Sequence, residues 1–143
     1  MAILSNYAYL MRKANGESTF TKLVDITSVP ALGGAPDPID VTTLSDMVQR
    51  NINGIQTSSS HEFGAWYDKD AYAALQAIEE ADISKKQSEL DTYEIWLGQN
   101  GVFGKFQWQG KLSVFVASFD VNVAVPMTIT ISDEGEEAIH MVA

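Results

Sequence analysis

The sequence predicts a mainly β protein, sandwich- or barrel-like, with one flanking α-helix and one long loop. Three observations carry this. Apolar residues alternate with polar ones over several runs in the second half, as where Met127, Ile129 and Ile131 interleave with Thr128, Thr130 and Ser132. The pair Asn15-Gly16 sits between two β-prone runs, the signature of a tight hairpin. Helical spacing is clear in one place, at Ala71, Leu75 and Ile78.

The first element is the hairpin, with strands over Tyr7–Lys13 and Ser18–Ile26. Residues from Pro30 to about Ser60 follow neither period and contain Gly33-Gly34, Pro36, Pro38 and Asn53-Gly54. Structureless connections longer than about 12–15 residues are usually functional or disordered. This one carries Ile39, Val41, Leu44, Met47, Ile52 and Ile55, more apolar side chains than a disordered linker holds. It is expected to dock, either on its own domain or on a neighbouring copy.

A strand over His61–Tyr67 precedes the helix, expected at about residues 68–81 with Asp68 or Asp70 as its cap. Glu79, Glu80 and Asp82 oppose the helix dipole, so a frayed or bent last turn is expected. Leu90–Leu97 places Tyr93, Ile95 and Leu97 on one face, with Thr92 and Glu94 on the polar one. After a turn at Gly98–Gly101, Val102–Gln109 buries Phe106 and Trp108, and Gly110-Lys111 suits a two-residue turn. Leu112–Val125 then reads as one strand with Phe115, Ala117, Phe119, Val121, Val123 and Val125 on a single face. Straight, it would span roughly 46 Å, beyond the diameter of roughly 37 Å of a compact domain this long. It must bend within a sandwich, or project and pair with another subunit. After the strand at Met127–Ser132 and the acidic run Asp133–Glu137, the apolar end Ala138–Ala143 has no evident role.

Composition bounds the function. The 143 residues fit a single domain, 1–143, and no staple is needed for a core of that size. The absence of cysteine excludes disulfide scaffolds, thiolate metal sites and cysteine nucleophiles. A formal charge of −10 opposes tight binding to phosphate backbones or anionic membranes. No apolar run reaches the roughly 18 residues of a membrane span, so no membrane anchor is expected. The start, Met1–Asn6, lacks the basic lead-in of a signal peptide, and a mature cytosolic product is expected.

Catalytic chemistry finds little support. His61 and His140 are the only histidines, one in a strand pattern and one near the chain end, and no Gly-x-Ser-x-Gly elbow is present. Asp37, Asp40 and Asp46 do not have the spacing of an EF-hand calcium loop and read as solvated or subunit-contacting carboxylates. Lys85-Lys86 is too short a run to mark a nucleic-acid surface. Phe103, Phe106 and Trp108 could stack on a ligand, though the latter two share a core-facing pattern. No enzyme activity, cofactor or metal is expected.

One stretch is more specific. Ile39-Asp40-Val41-Thr42-Thr43-Leu44-Ser45-Asp46, followed by Asn51-Ile52-Asn53-Gly54-Ile55, resembles the major tail (tail tube) proteins of long-tailed bacteriophages. In that family a similar stretch lies in a long loop after an N-terminal hairpin. The order of hairpin, loop, strand, helix and strands is similar over about residues 2–132. The resemblance implies a structural protein of a virion tail, put together in the host bacterial cytoplasm. Six copies would form a ring whose inner sheets join into a β-barrel, with rings stacked into a tube that conducts DNA without sequence-specific binding. It also implies tape-measure, tail-tip and tail-terminator proteins as partners. Asp40, Val41, Thr42, Thr43, Leu44, Ser45, Asp46, Ile52, Gly54 and Ile55 would form the inter-subunit loop. Glu94 and Asp120, on polar strand faces, are candidates for facing the lumen, where negative charge would repel phosphates. The chain stops soon after its last strand, so the immunoglobulin-like extra domain of some relatives is not expected. A small-ligand or peptide-binding β-sandwich, with the loop as a pocket mouth, is the alternative; a type VI-like secretion tube is another.

Overall fold

The computed structural model of the chain describes residues 7–32, 38–53, 60–135 and 139–142. The elements are β1 (Ala8–Lys13), β2 (Thr21–Val24), β3 (Ile26–Ser28), β4 (Pro38–Asp40), β5 (Asn51–Asn53), β6 (Ser60–Trp66), α1 (Lys69–Asp82), β7 (Asp91–Leu97), β8 (Lys105–Gly110), β9 (Leu112–Val116), β10 (Pro126–Ser132) and β11 (His140–Val142). They build an antiparallel five-stranded sheet, β11-β8-β7-β1-β2, and an antiparallel four-stranded sheet, β3-β6-β10-β9. The mainly β class with one helix is the fold the alternation predicted.

The inward faces of the two sheets meet in one core. Leu10, Tyr93, Ile95 and Trp108 come from the larger sheet, and Phe63, Met127, Ile129 and Ile131 from the smaller. Trp108 lies at the centre, stacked on Phe63 at 5.9 Å and on Tyr93 at 6.2 Å, with the His61 ring edge-on at 5.2 Å. His61 is thus a buried structural residue. Helix α1 packs against β9 and sends Leu75 into the core, with Ala71 and Ile78 half-buried on the same side. Asp68 caps it by accepting a hydrogen bond from the Ala71 N–H at 3.1 Å.

Several expectations need correction. The second hairpin strand does not run unbroken to Ile26. It breaks at Asp25, so β2 pairs with β1 in one sheet while β3 pairs with β6 in the other. Gly110-Lys111 is not a hairpin turn, because β8 and β9 belong to different sheets. It is a corner clamped to the end of β10. Lys111 donates its N–H to Ser132 Oγ at 3.0 Å, and its carbonyl accepts the Ser132 N–H at 2.9 Å. Glycine is required there, since a Cβ on Gly110 would fall 1.6 Å from the Ser132 carbonyl oxygen.

The strand read over Leu112–Val125 is also corrected. β9 ends at Val116, residues 117–125 form an irregular loop with Asn122 at φ 67°, and β10 returns antiparallel to β9. Its core face is the one with Leu112 and Val114, while Phe115 is half exposed. The length mismatch is resolved because the run is a short strand and a loop, not one straight strand over Leu112–Val125.

The last turn of α1 is not frayed. Asp82 is buried, and its carboxylate accepts the Leu112 N–H at 3.0 Å and pairs with Lys85 Nζ at 2.9 Å. The supposed polar face of β7 is covered too, with Thr92 and Glu94 buried by neighbours on the sheet. The C-terminal segment has a place after all: β11 adds an edge strand, with Met141 opposite Phe106.

Candidate functional site

The 30–60 segment is not structureless. β4 and β5 pair antiparallel in a two-stranded ribbon, with Ile39 opposite Ile52 and Asp40 opposite Asn51. The chain between them closes on itself. Val41 donates its N–H to the Arg50 carbonyl at 2.9 Å, and Thr42 Oγ1 accepts the Arg50 N–H at 2.8 Å. Asp40 Oδ1 accepts the Thr42 N–H at 2.9 Å. Asp46 Oδ2 accepts from the Thr43 N–H at 2.9 Å and its hydroxyl at 3.1 Å, and Ser45 Oγ lies 3.0 Å from the same hydroxyl. Arg50 Nε reaches Asp46 Oδ1 at 3.2 Å. Hydrogen bonds from the Thr42 side chain and N–H, with a lesser one from Gln49, hold the Asp40 carboxyl below the usual carboxylate range.

This network explains the motif. Its aspartates, threonines and serine supply the loop with the hydrogen bonds that a ladder would otherwise give. The apolar residues between them are turned outward. Leu44 and Met47 have 109% and 101% of their reference area exposed, and Val48, Ile39, Val41 and Ile52 are exposed as well. A monomer gains nothing from this arrangement; contiguous exposed apolar side chains mark interaction surfaces. Gly54, Ile55, Gly33-Gly34 and Asp37 lie outside the described residues.

A second apolar surface went unread in the sequence. Phe119, Val121 and Val123 in the 117–125 loop are exposed, and Phe115, Val116, Trp66 and Tyr67 at its base are exposed as well. The base is fastened by the Tyr67 N–H to the Val125 carbonyl at 2.8 Å. The alternation of β-prone residues there disguised a surface as a core face.

The two candidate carboxylates are not brought together. Glu94 is on the outward face of the five-stranded sheet, yet only 4% exposed, and accepts the Trp96 Nε1–H at 2.7 Å. Asp120 is exposed in the 117–125 loop. Among the described residues no three His, Asp or Glu side chains are grouped to hold a metal ion, and no helix is long and apolar enough to cross a membrane. Concavities are shallow: one of about 450 Å³ is lined by Asn15, Lys86, Gln87, Ser88, Leu90 and Gln109.

Sequence reasoning also missed a buried ionic cluster, since its members are scattered along the chain and follow no motif. Asp91, 1% exposed, accepts from Arg12 Nη2 at 2.6 Å, from Lys85 Nζ at 2.9 Å and from the Asn15 N–H at 3.0 Å. Burial disfavours its charge, but the bonds from Lys85, Asn15 and Arg12 outweigh that and lower its pKa. Burial likewise works against the charge on Lys85 and is outweighed by Asp82 and Asp91, which raise its pKa. Burial and the two nearby carboxylates push the Tyr93 hydroxyl well above its ordinary range. The cluster joins β1, the end of α1 and β7 and frames no substrate.

Comparison with known proteins agrees with a structural reading. No curated protein matches the chain. Solved structures do match its fold. The tail of an empty GTA particle superposes with a TM-score of 0.72 at 16% identity, covering 99% of this chain and 100% of that one. The sheath/tube terminator of an extracellular contractile injection system, PVC, gives 0.69 at 16% identity, covering 100% and 99%. The tube-terminating cap of the anti-feeding prophage gives 0.66 at 16% identity, covering 100% and 93%. The family model described as phage tail tube protein, TTP, matches residues 10–93, which takes in most of the hairpin, the motif-bearing ribbon, the helix and the start of β7. More than half of the chain fits that model, and the chain belongs to the phage tail tube protein family.

Proposed function

We propose that the chain is a non-catalytic, single-domain (1–143) subunit of a virion tail tube, assembled in the host bacterial cytoplasm. Six copies form a ring, rings stack, and DNA travels through the lumen, with tape-measure, tail-tip and tail-terminator proteins as partners. The observation that carries this reading is the ribbon tip, where a satisfied polar network holds Leu44 and Met47 bare to solvent. A neighbouring subunit or the next ring covers them, together with Asp40–Asp46, Ile52, Gly54 and Ile55.

The five-stranded sheet is the better candidate for the lumen wall. α1 packs against β9 of the other sheet, while β2 and β11 lie at the two edges of the larger one, available for pairing between subunits. On that reading Glu94 belongs to the wall and Asp120 to the flank of the subunit.

Negative-stain imaging of the concentrated protein tests the proposal. Rings with six-fold symmetry or long tubes are expected, and deletion of Asp40–Ile55 abolishes them while a β-rich circular dichroism spectrum remains. A strictly monomeric species at high concentration, with a ligand-dependent melting shift, would instead identify a small-ligand or peptide-binding sandwich.

A further inference from the structure

Strand directions give the two sheets common ends. β1 starts, β2 ends, β7 ends and β8 starts at one end of the larger sheet. The step from Val24 to Ile26 brings the end of β6, the end of β9 and the start of β10 to that same end. The opposite end holds the Gly110-Lys111 corner, the close of α1 at Asp82 and the start of β6 at Ser60, to which the motif-bearing ribbon is joined. The two ends differ in kind. Tyr7, Trp66, Val102, Phe103, Phe119 and Val121 are exposed at the first. The second presents Asn15, Lys86, Gln87 and Lys111 around shallow concavities, and its ribbon carries the bare Leu44 and Met47. The apolar end is preformed. Residues 98–104 are closed by the Phe103 N–H to the Leu97 carbonyl and the Leu97 N–H to the Gly104 carbonyl, both at 2.9 Å. Residues 117–125 are closed by the Tyr67 N–H to the Val125 carbonyl at 2.8 Å and the Ala117 N–H to the Pro126 carbonyl at 3.1 Å.

We infer that the apolar end is a socket for the Leu44–Met47 ribbon tip of a second copy, an inference that rests on the tube reading for placing the contact between successive rings. On that reading the sheet edges meet neighbours within a ring, which leaves the strand ends to face the rings above and below. Area argues for this occupant. The chain exposes 9451 Å² where a compact monomer of its mass exposes about 7,200 Å². That surplus supplies two contacts at about 800 Å² of each chain, one through the tip and one through the socket. The chemistry agrees: flexible aliphatic anchors meet an aromatic surface, and a Met thioether packs well against ring edges. Tip and socket are different patches, so the contact is heterologous and propagates instead of closing a two-fold pair. A tube built this way shows tips at one mouth and empty sockets at the other.

The chain has no cysteine, so disulfide trapping reads the contact directly. Met47→Cys and Val121→Cys chains are mixed at high concentration, oxidised and separated without reductant. The mixture should give at least tenfold more linked pairs than either variant alone. Met47→Cys mixed with Ile83→Cys, at the polar end, should give only background. All three positions are exposed, so the fold tolerates the changes. A second mixture tests direction. A Leu44→Ser/Met47→Ser chain keeps its socket and lacks a tip, and a Phe119→Ser/Val121→Ser chain is the converse. Each alone should stop at single rings, and the two together at pairs of rings, read by sedimentation velocity and negative stain. Linkage of Met47→Cys to itself, or to Ile83→Cys as readily as to Val121→Cys, overturns the inference, and so do long tubes from the second mixture. Long tubes without Met47–Val121 linkage leave the tube reading standing and remove the socket; abundant linkage in a chain that never makes rings does the reverse.

Discussion

Arg12 lays its guanidinium against Asp91, with Nη2 and Nε 2.6 and 3.1 Å from the same carboxylate oxygen, across 79 residues of sequence. Lys85 holds the other oxygen at 2.9 Å and bridges to Asp82. Two acids and two bases thus pin the β1, β7 and α1 ends together at a point where neither acid meets solvent.

Truncating Asp91 to Ala should cost about 3–5 kcal/mol, because Arg12 would lose its carboxylate partner in a part-buried site and Lys85 would keep only Asp82. The pH dependence follows from the lowered pKa of Asp91 in the fold. Its contribution is complete above the unfolded carboxylate pKa of about 3.9 and is lost as pH falls through the lower folded value. Urea titrations should therefore show a constant gap between the parent and Asp91→Asn from neutral pH down to about 5, closing below about 4. A gap that stays constant down to pH 2 would refute the assignment.

Replacing Leu44 and Met47 together by Ser should leave the stability of the isolated chain within about 0.5 kcal/mol of the parent, since both are fully exposed. Assembly should fall sharply. Sedimentation velocity paired with a urea midpoint reads the two effects separately, and unimpaired assembly would place the contact elsewhere.

Gly110→Ala should destabilise by about 3 kcal/mol, the upper range of overpacking, as the added methyl meets backbone and not a movable side chain. The urea midpoint should drop while the slope of the transition stays the same. A neutral result would mean the corner can open.

Asp68→Ala should cost about 1 kcal/mol through loss of the α1 cap. Leu75→Ala should cost about 2–5 kcal/mol, because that side chain fills the core beneath the helix. Differential scanning calorimetry of the two variants reports the difference directly.

Local periodicity revealed what local physics controls. β10 was legible because Met127, Ile129 and Ile131 all face the core, and α1 because Leu75 lies one turn from both Ala71 and Ile78. The reading failed where apolar residues face water. Phe119, Val121 and Val123 alternate as a buried strand does, and nothing in one chain distinguishes a side chain awaiting a partner from one already buried. The Gly110 corner resembled a hairpin turn because glycine serves both tight φ angles and close approaches. Of the candidate site, the Asp40–Asp46 motif was visible but its reason was not, since hydrogen bonds such as Thr43 to Asp46 require the closed tip. The gathering of bare aromatic groups at one end was invisible, as Tyr7, Trp66 and Phe103 share that end only through strand direction.

The bare tip at Leu44 and Met47 makes the lone chain a colloid held apart by its own surplus of acid. Mutual repulsion between like-charged molecules reaches only about 8 Å at physiological ionic strength, whereas greasy contacts are indifferent to dilute electrolyte. Adding salt should therefore lower the threshold for polymerisation, and acidifying toward the isoelectric point near 4.4 should drive clumping of a less ordered kind.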